Sequence, residues 1–258
     1  MIICWRERMQ MKEALKSLLP DTVLCELRRF RQRLADRRNA RRTPREVFTE
    51  IYDKGKWGAS VSGFCSGAGS STESVMRPYV QMITEYLQSA GRGKTVVDLG
   101  CGDLEIGKRL IPWCSRYIGV DIVPALIGKH ASACWGEHVR FLCLDIVGEE
   151  LPDGDICLLR QVLQHLSNQQ IAAVLPKLRK YEVTFITEHY PSRDVGVIPN
   201  KDIVHGSRVR AHEGSGAYFD KPPFNIPPHC LEMVLEVPGV GLAGEHDQGV
   251  IRTYRLAW

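Results

Sequence analysis

The sequence predicts an α/β fold: a doubly wound, mainly parallel seven-stranded sheet with an N-terminal helical arm and lid and a C-terminal β-hairpin. Short apolar runs alternate with helix-like segments from residue 95 onward. Near-continuous apolar strands joined by helical crossovers are typical of parallel sheets that are covered on both faces. A glycine turn, Gly100 and Gly102, follows the first apolar run, as expected where a strand leads into a helix beside a ligand.

Seven apolar runs have the length of strands, and they are predicted over 95–100, 117–122, 139–146, 155–161, 183–189, 231–237 and 249–258. Helical periodicity predicts helices over 106–114 and 124–134. A further helix is expected to begin at Ser167, because Gln170 completes a capping box with it. The last two strands enclose a Gly/Pro-rich connection, and we expect them to form a hairpin at the edge of the sheet.

Three regions are predicted along the chain of 258 residues. Residues 1–46 form a basic amphipathic arm, residues 47–94 form a helical lid, and residues 95–258 form the core. Within the core, residues 190–228 are expected to be an insertion that binds the substrate, since a loop this long inside a compact domain is usually functional.

The composition is that of an ordinary globular protein, with 44% hydrophobic and 25% charged residues. No run of 18 apolar residues occurs, so no membrane-spanning helix is expected. The nine cysteines include no CxxC pair, and no secretion signal is recognisable at the start. These features predict free thiols in a cytoplasmic protein.

The arm is strongly basic, since residues 28–45 contain nine arginines and one acid, Asp36. Residues 12–38 have leucines at helical spacing on one face and arginines on the other. A helix of this kind can lie on an anionic membrane surface, pack on a partner or bind nucleic acid. No aromatic residues alternate with the arginines to stack on bases, which makes nucleic acid the least favoured partner. Peripheral contact with the inner membrane face is therefore one expectation.

Acidic residues end three successive predicted strands, at Asp98, Asp121 and Asp145. Ligands of open parallel sheets bind beyond the carboxyl ends of the strands, where these side chains would meet. A dinucleotide motif would place a third glycine at position 105, where the chain has Glu105. Asp121 comes 19 residues after Gly102, the spacing of a ribose-binding carboxylate. The pattern predicts a ribonucleoside site without a phosphate.

Four stretches carry a resemblance to a known family: VVDLGCGDLEIGKRL, YIGVDIVPALI, VRFLCLDI and DICLLRQVLQHLS, all within residues 95–190. Together they resemble the class I S-adenosylmethionine-dependent methyltransferases. The resemblance implies a Rossmann-like fold, S-adenosylmethionine as cofactor and methyl transfer as the reaction.

The resemblance also implies positions around the methionine and ribose parts of the cofactor. Asp98, Gly100 and Gly102 would surround the methionine part. Asp121 would hold the ribose, and Ile122 would pack on the adenine.

The remaining matches lie after the third and fourth strands. Asp145 and Ile146 would border the adenine amino group, and Arg160 and Gln161 would line the floor of the site.

The glycine turn and two elements upstream of it resemble those of one bacterial subgroup of this family. Members of the subgroup act on small molecules and glycans. The subgroup has a GCGD turn, a W-G element and an S-G-x-G-S loop, which here are residues 100–103, 57–58 and 66–70. The resemblance implies that Trp57, Ser66 and Gly67 belong to a lid over the cofactor.

A hydroxyl acceptor needs a base or a metal ion, and three residues are candidates for the catalytic role. His165 follows the fourth strand, and Glu188 and His189 end the fifth. A divalent metal is possible in principle, but no ligand spacing in the sequence supports one, and no metal ligand is assigned.

The predicted insertion supplies four candidate acceptor-binding residues. Tyr218 and Phe224 could stack on a ring, and Arg208 could hold an anionic group; Phe219 is the fourth candidate. The favoured reaction is O-methylation of a sugar hydroxyl on a glycan, a glycolipid or a glycosylated natural product. N-methylation of a small amine or peptide, and RNA methylation using the arginine-rich arm, remain alternatives.

Overall fold

The computed structural model describes residues 20–58, 63–91, 93–192, 196–240 and 248–258. The chain divides into two compact units, residues 1–42 and 43–258. The predicted lid thus belongs to the same unit as the core. Within the first unit, helix α1 spans Asp21–Asn39, and residues 12–19 of the predicted amphipathic helix lie outside the described residues.

Seven strands of the described chain form one sheet in the order β3-β2-β1-β4-β5-β7-β6. The first five strands are parallel, whereas β7 is antiparallel to both β5 and β6. The prediction of a mainly parallel sheet ending in a hairpin at its edge is therefore confirmed. The strands are β1 (Thr95–Leu99), β2 (Arg116–Asp121), β3 (Val139–Cys143), β4 (Ile156–Arg160), β5 (Val183–Tyr190), β6 (Leu231–Pro238) and β7 (Val250–Leu256).

Six α-helices lie within the described part of the second unit, and 3-10 turns extend two of them. They are α2 (Pro44–Asp53), α3 (Ala68–Ser71), α4 (Glu73–Ser89), α5 (Gly107–Leu110), α6 (Pro124–Ala131) and α7 (Asn168–Val174). The capping box that Ser167 and Gln170 predict is present at the start of α7. Thr43 and Glu46 form a second capping box at the start of α2.

Alternate residues of the central strands pack into two hydrophobic clusters on opposite faces of the sheet. Val97 and Leu99 belong to one cluster, and Val96 of the same strand belongs to the other. Side chains of α4, including Tyr79 and Ile83, complete the second cluster. Burial on both faces explains why these strands are continuously apolar, as the sequence prediction assumed.

No helix of the described residues is both long and apolar enough to cross a bilayer.

Candidate functional site

A cleft opens where the parallel strands β1, β2 and β4 end, on the side of their carboxyl termini. It encloses about 1020 Å³ of space that no atom of the chain occupies, including the open mouth. The position is the one expected for ligands of open parallel sheets.

The glycine turn after β1 brings the backbone against one wall of the cleft. Gly100 has a φ of 78°, and a Cβ added there would lie 2.3 Å from a methyl group of Val162. Gly102 also has a positive φ, and its Cβ would lie 2.4 Å from the Ser66 hydroxyl. Only glycine fits the turn at these two positions without a shift of its neighbours.

Asp121 ends β2, and the backbone holds its carboxylate in place. The Gly102 N–H donates to one carboxylate oxygen at 3.0 Å, and the Val123 N–H donates to the other at 3.0 Å. Burial raises the pKa of Asp121 to about 6, while these hydrogen bonds favour the charged form. Asp121 lines the cleft, and the two backbone hydrogen bonds fix the orientation of its carboxylate.

Asp98 and Arg160 place opposite charges on the floor of the cleft. Tyr117 donates its hydroxyl hydrogen to Asp98 at 2.5 Å, and burial raises the pKa of Asp98 to about 6. The Arg160 guanidinium lies over the ring of Tyr79, 5.2 Å from the ring centre. Arg160 and Asp98 interact electrostatically, which favours the charged form of each.

The residues that follow β3 form another wall of the cleft. Asp145 accepts the Val147 N–H at 2.9 Å, which orders the turn that follows the strand. Ile122, Asp145 and Ile146 line the cleft here, and Ile146 is buried. This wall combines one carboxylate with apolar surface.

Residues 66–71, here called the serine loop, close one side of the cleft. Ser66 and Asp103 bond reciprocally: the Ser66 N–H donates to the Asp103 carboxylate at 2.8 Å, and the Asp103 N–H donates to the Ser66 hydroxyl at 3.0 Å. Gln161 holds the other end of the loop. Its side-chain carbonyl accepts the Ser70 hydroxyl at 3.0 Å, and its amide donates to the backbone carbonyl of residue 69 at 2.9 Å.

Aromatic rings form the outer part of the cleft. The centres of the Trp57 and Tyr52 rings are 5.1 Å apart, and those of Trp57 and Phe48 are 6.1 Å apart. Trp57 also lies 5.0 Å from the His165 ring. We call Phe48, Tyr52, Trp57 and His165 the aromatic wall.

His165 is buried in the aromatic wall and faces the cleft. Its Nδ1 lies 3.1 Å from the carbonyl oxygen of Arg208, which assigns the hydrogen to Nδ1 and leaves Nε2 as the acceptor. Nε2 lies 3.4 Å from the side-chain amide nitrogen of Gln164, and the ring also interacts with the backbone of Gly206. Burial lowers the pKa of His165 to about 4, so the ring is neutral at physiological pH.

Two solved structures to which this chain is similar are named as methyltransferases. One is 1,6-didemethyltoxoflavin-N1-methyltransferase from Burkholderia thailandensis, at 17% identity and a TM-score of 0.52, covering 83% of this chain and 87% of that one. Another is magnesium protoporphyrin IX methyltransferase from Synechocystis PCC 6803, at 12% identity and a TM-score of 0.52, covering 84% and 99%. This chain has the class I methyltransferase fold. No protein-family model and no curated protein matches the sequence.

Most residues that the resemblance assigned to a cofactor lie at the cleft of this methyltransferase fold. Ten of the twelve line it: Trp57, Ser66, Asp98, Gly100, Asp121, Ile122, Asp145, Ile146, Arg160 and Gln161. The other two act through the backbone. Gly102 donates to Asp121, and Gly67 precedes α3 and accepts the Ser71 hydroxyl at 2.9 Å.

Glu188 does not reach the cleft, contrary to expectation. Its buried carboxylate accepts the N–H groups of Leu163 at 2.8 Å and Gln164 at 3.0 Å, beneath the turn that carries His165. Burial raises the pKa of Glu188 to about 8. His189 also lies away from the cleft lining, with its Nε2 2.7 Å from the carbonyl oxygen of Gln248. Both side chains make contacts with backbone groups outside the cleft lining, and His165 is the remaining candidate base.

The four predicted acceptor-binding side chains lie outside the cleft lining. Phe219 is 2% exposed and packs with Phe224 in the core, because burying these rings stabilises the fold more than exposing them. Tyr218 packs on Tyr190, with ring centres 5.2 Å apart. Arg208 forms a salt bridge with Glu213, and its backbone carbonyl accepts a hydrogen bond from His165 Nδ1.

Several lining residues were not predicted, among them Phe48, Tyr52, Tyr79, Asp103 and Val162. Asp103 was visible in the sequence as the last residue of the GCGD turn. Phe48 and Tyr52 are four residues apart on α2, so the sequence showed that they share one face of a helix. It did not show that this face packs beside the cleft. Over the ranges that the structure describes, no group of three or more His, Cys, Asp or Glu side chains could hold a metal ion.

Proposed function

We propose that this protein is an S-adenosylmethionine-dependent methyltransferase. The observation that carries the proposal is the oriented Asp121 carboxylate beside the glycine turn. Its oxygens accept the backbone N–H groups of Gly102 and Val123, and a carboxylate has further lone pairs to which two vicinal ribose hydroxyls could donate. The apolar surfaces of Ile122 and Ile146 flank this position and suit an adenine ring.

The other end of the cleft suits an amino acid group. The Nε atom of Arg160 is buried and has no hydrogen-bond partner within the described residues. A ligand carboxylate would compensate the guanidinium, and Asp98 offers a carboxylate to a ligand ammonium. The residues present therefore fit the methionine part of S-adenosylmethionine as well as its ribose.

S-adenosylmethionine, when bound, supplies an electrophilic methyl group on a sulfonium centre. The chain contributes alignment, because displacement at a methyl group depends on the geometry of the attacking atom. His165 Nε2 is our candidate for accepting the proton of an attacking hydroxyl, since Nδ1–H is committed to the Arg208 carbonyl. In such a transfer the acceptor oxygen would take the methyl group as its bond to sulfur breaks, and His165 would take up the hydroxyl proton.

The acceptor we favour is a sugar hydroxyl on a glycan, a glycolipid or a glycosylated metabolite. The rings of the aromatic wall offer faces on which a sugar ring can pack. His165 in this wall is neutral, which is the form that can accept a proton from a hydroxyl group. N-methylation of a small amine is the second candidate. Four carboxylates line the cleft, those of Asp98, Asp103, Asp121 and Asp145. Their negative charges favour binding of an amine in its protonated form, which then has to lose a proton before it can attack the methyl group.

Transfer of a labelled methyl group separates these reactions. Wild-type protein and His165→Gln are incubated with labelled S-adenosylmethionine and sugars, glycolipids or amines, with and without chelator. We expect labelled sugar ethers from the wild type and a loss of about 10²- to 10⁴-fold in His165→Gln. Binding of S-adenosylhomocysteine should be equal in the two proteins.

Labelling of amines alone would overturn O-methylation and support the second candidate. Loss of activity with chelator would show that a metal ion replaces the histidine as the activating group. Failure of the wild type to bind S-adenosylhomocysteine would contradict the methyltransferase proposal itself.

A further inference from the structure

Helix α1 exposes an apolar stripe. Val23, Leu27, Phe30 and Leu34 are 39%, 41%, 59% and 48% exposed. Their spacing of four, three and four residues places them along one side of the helix. Exposed Phe and Leu side chains in a continuous stripe indicate a surface that is covered by something apolar.

Arginines border the stripe on both sides. At about 100° per residue, Arg31 and Arg38 lie on one flank of the stripe, and Arg33 and Arg37 lie on the other. All four arginines are exposed. Their long side chains can extend away from an apolar surface while their charges stay in water.

We propose that α1 is a membrane-surface helix that binds bilayers containing anionic lipids. The apolar stripe enters the boundary between headgroups and acyl chains, and the arginines contact phosphate groups around it. Helix α1 belongs to the first unit, whereas the described residues that line the cleft belong to the second, and the proposal does not depend on methyl transfer. It gives the protein access to acceptors at a lipid surface.

Two other partners fit this helix less well. In a pair of identical helices packed along the stripe, the flanking arginines would face one another, and like charges in these positions destabilise the pair. Nucleic acid would satisfy the arginines but leave the exposed stripe in contact with water or phosphate. An anionic bilayer is complementary to both the stripe and its borders.

Vesicle binding by the full chain tests the proposal directly. Vesicles of phosphatidylcholine, with or without phosphatidylglycerol, are sedimented with the protein at low and high salt. We expect binding that requires phosphatidylglycerol and weakens at high salt, because ions screen the arginine charges.

Matched variants identify the surface that binds. Phe30→Glu should reduce vesicle binding at least tenfold, whereas Ile198→Glu, at a side chain 61% exposed on the other unit, should not change it. Arg31→Gln with Arg38→Gln should reduce binding by about fivefold per arginine. Arg116→Gln with Arg140→Gln removes the same charge from exposed positions on β2 and β3 and should have a smaller effect.

Circular dichroism establishes that each variant keeps its helices. Equal vesicle binding by Phe30→Glu and wild type, or binding that ignores phosphatidylglycerol, would overturn the proposal. RNA binding or self-association that responds to these variants, with no vesicle binding, would replace the bilayer by that partner.

Discussion

Asp121 illustrates how the backbone can prepare one side chain for a ligand. A buried carboxylate is costly unless hydrogen bonds stabilise its charge. Here the donors are the N–H groups of Gly102, which precedes Asp121 in the sequence, and of Val123, which follows it. Burial and hydrogen bonding oppose each other, and the resulting pKa of about 6 leaves the carboxylate mostly ionised at neutral pH.

Replacing Asp121 by asparagine should weaken binding of S-adenosylhomocysteine by about 10- to 100-fold, since a hydrogen bond to a charged group contributes about 1.5–3 kcal/mol. The amide keeps the size of the side chain, but it loses one acceptor oxygen and the charge. Isothermal titration calorimetry measures the affinity. Asp153→Asn, at a side chain 98% exposed, is the matched control and should bind as the wild type does.

The same experiment has a pH dependence with a definite sign. Affinity of the wild type should fall as the pH drops through about 6, because protonation removes an acceptor from Asp121. Asp98, whose pKa is also raised to about 6, contributes to the same decline. His165 should not, since its pKa of about 4 keeps the ring neutral over this range. Affinity that stays constant from neutral pH to pH 5 would contradict the ribose assignment.

Local signals predicted the secondary-structure elements better than they predicted the contents of the cleft. The apolar strands and the capping box at Ser167 depend on short stretches of sequence, and both are present. Asp98 and Asp121 were found because parallel strands end at one edge of the sheet. Phe48 reaches the cleft through packing of α2, which no local pattern specifies. Phe219 looked available for a ligand, yet it packs into the core.

The turn between β1 and α5 allows a test of one element with an internal control. Gly100→Ala should destabilise the protein by about 1–3 kcal/mol, because alanine is strained at a positive φ and its methyl group would meet Val162. Gly128→Ala, inside α6 with no atom within 4 Å of the new methyl group, should instead stabilise it by about 0.5–1 kcal/mol. Urea unfolding measures both changes, and effects of equal sign would refute this account of the turn.

At the scale of the whole molecule, the chain combines two units with different surfaces. Residues 43–258 contain all the side chains that line the cleft among the residues that the structure describes. Residues 20–42 contain the exposed apolar stripe and most of the arginines of the basic segment. Cofactor binding and the proposed binding to a membrane surface therefore fall in different parts of the chain.

Removing residues 1–42 tests this division. The fragment of residues 43–258 should keep the sheet, both hydrophobic clusters and the cleft, so its affinity for S-adenosylhomocysteine should remain within about twofold of the full chain. Its binding to phosphatidylglycerol vesicles should be lost. Calorimetry and vesicle sedimentation on the two proteins measure both properties. If affinity for S-adenosylhomocysteine is lost as well, the first unit contributes to the site, and the separation of the two functions is wrong.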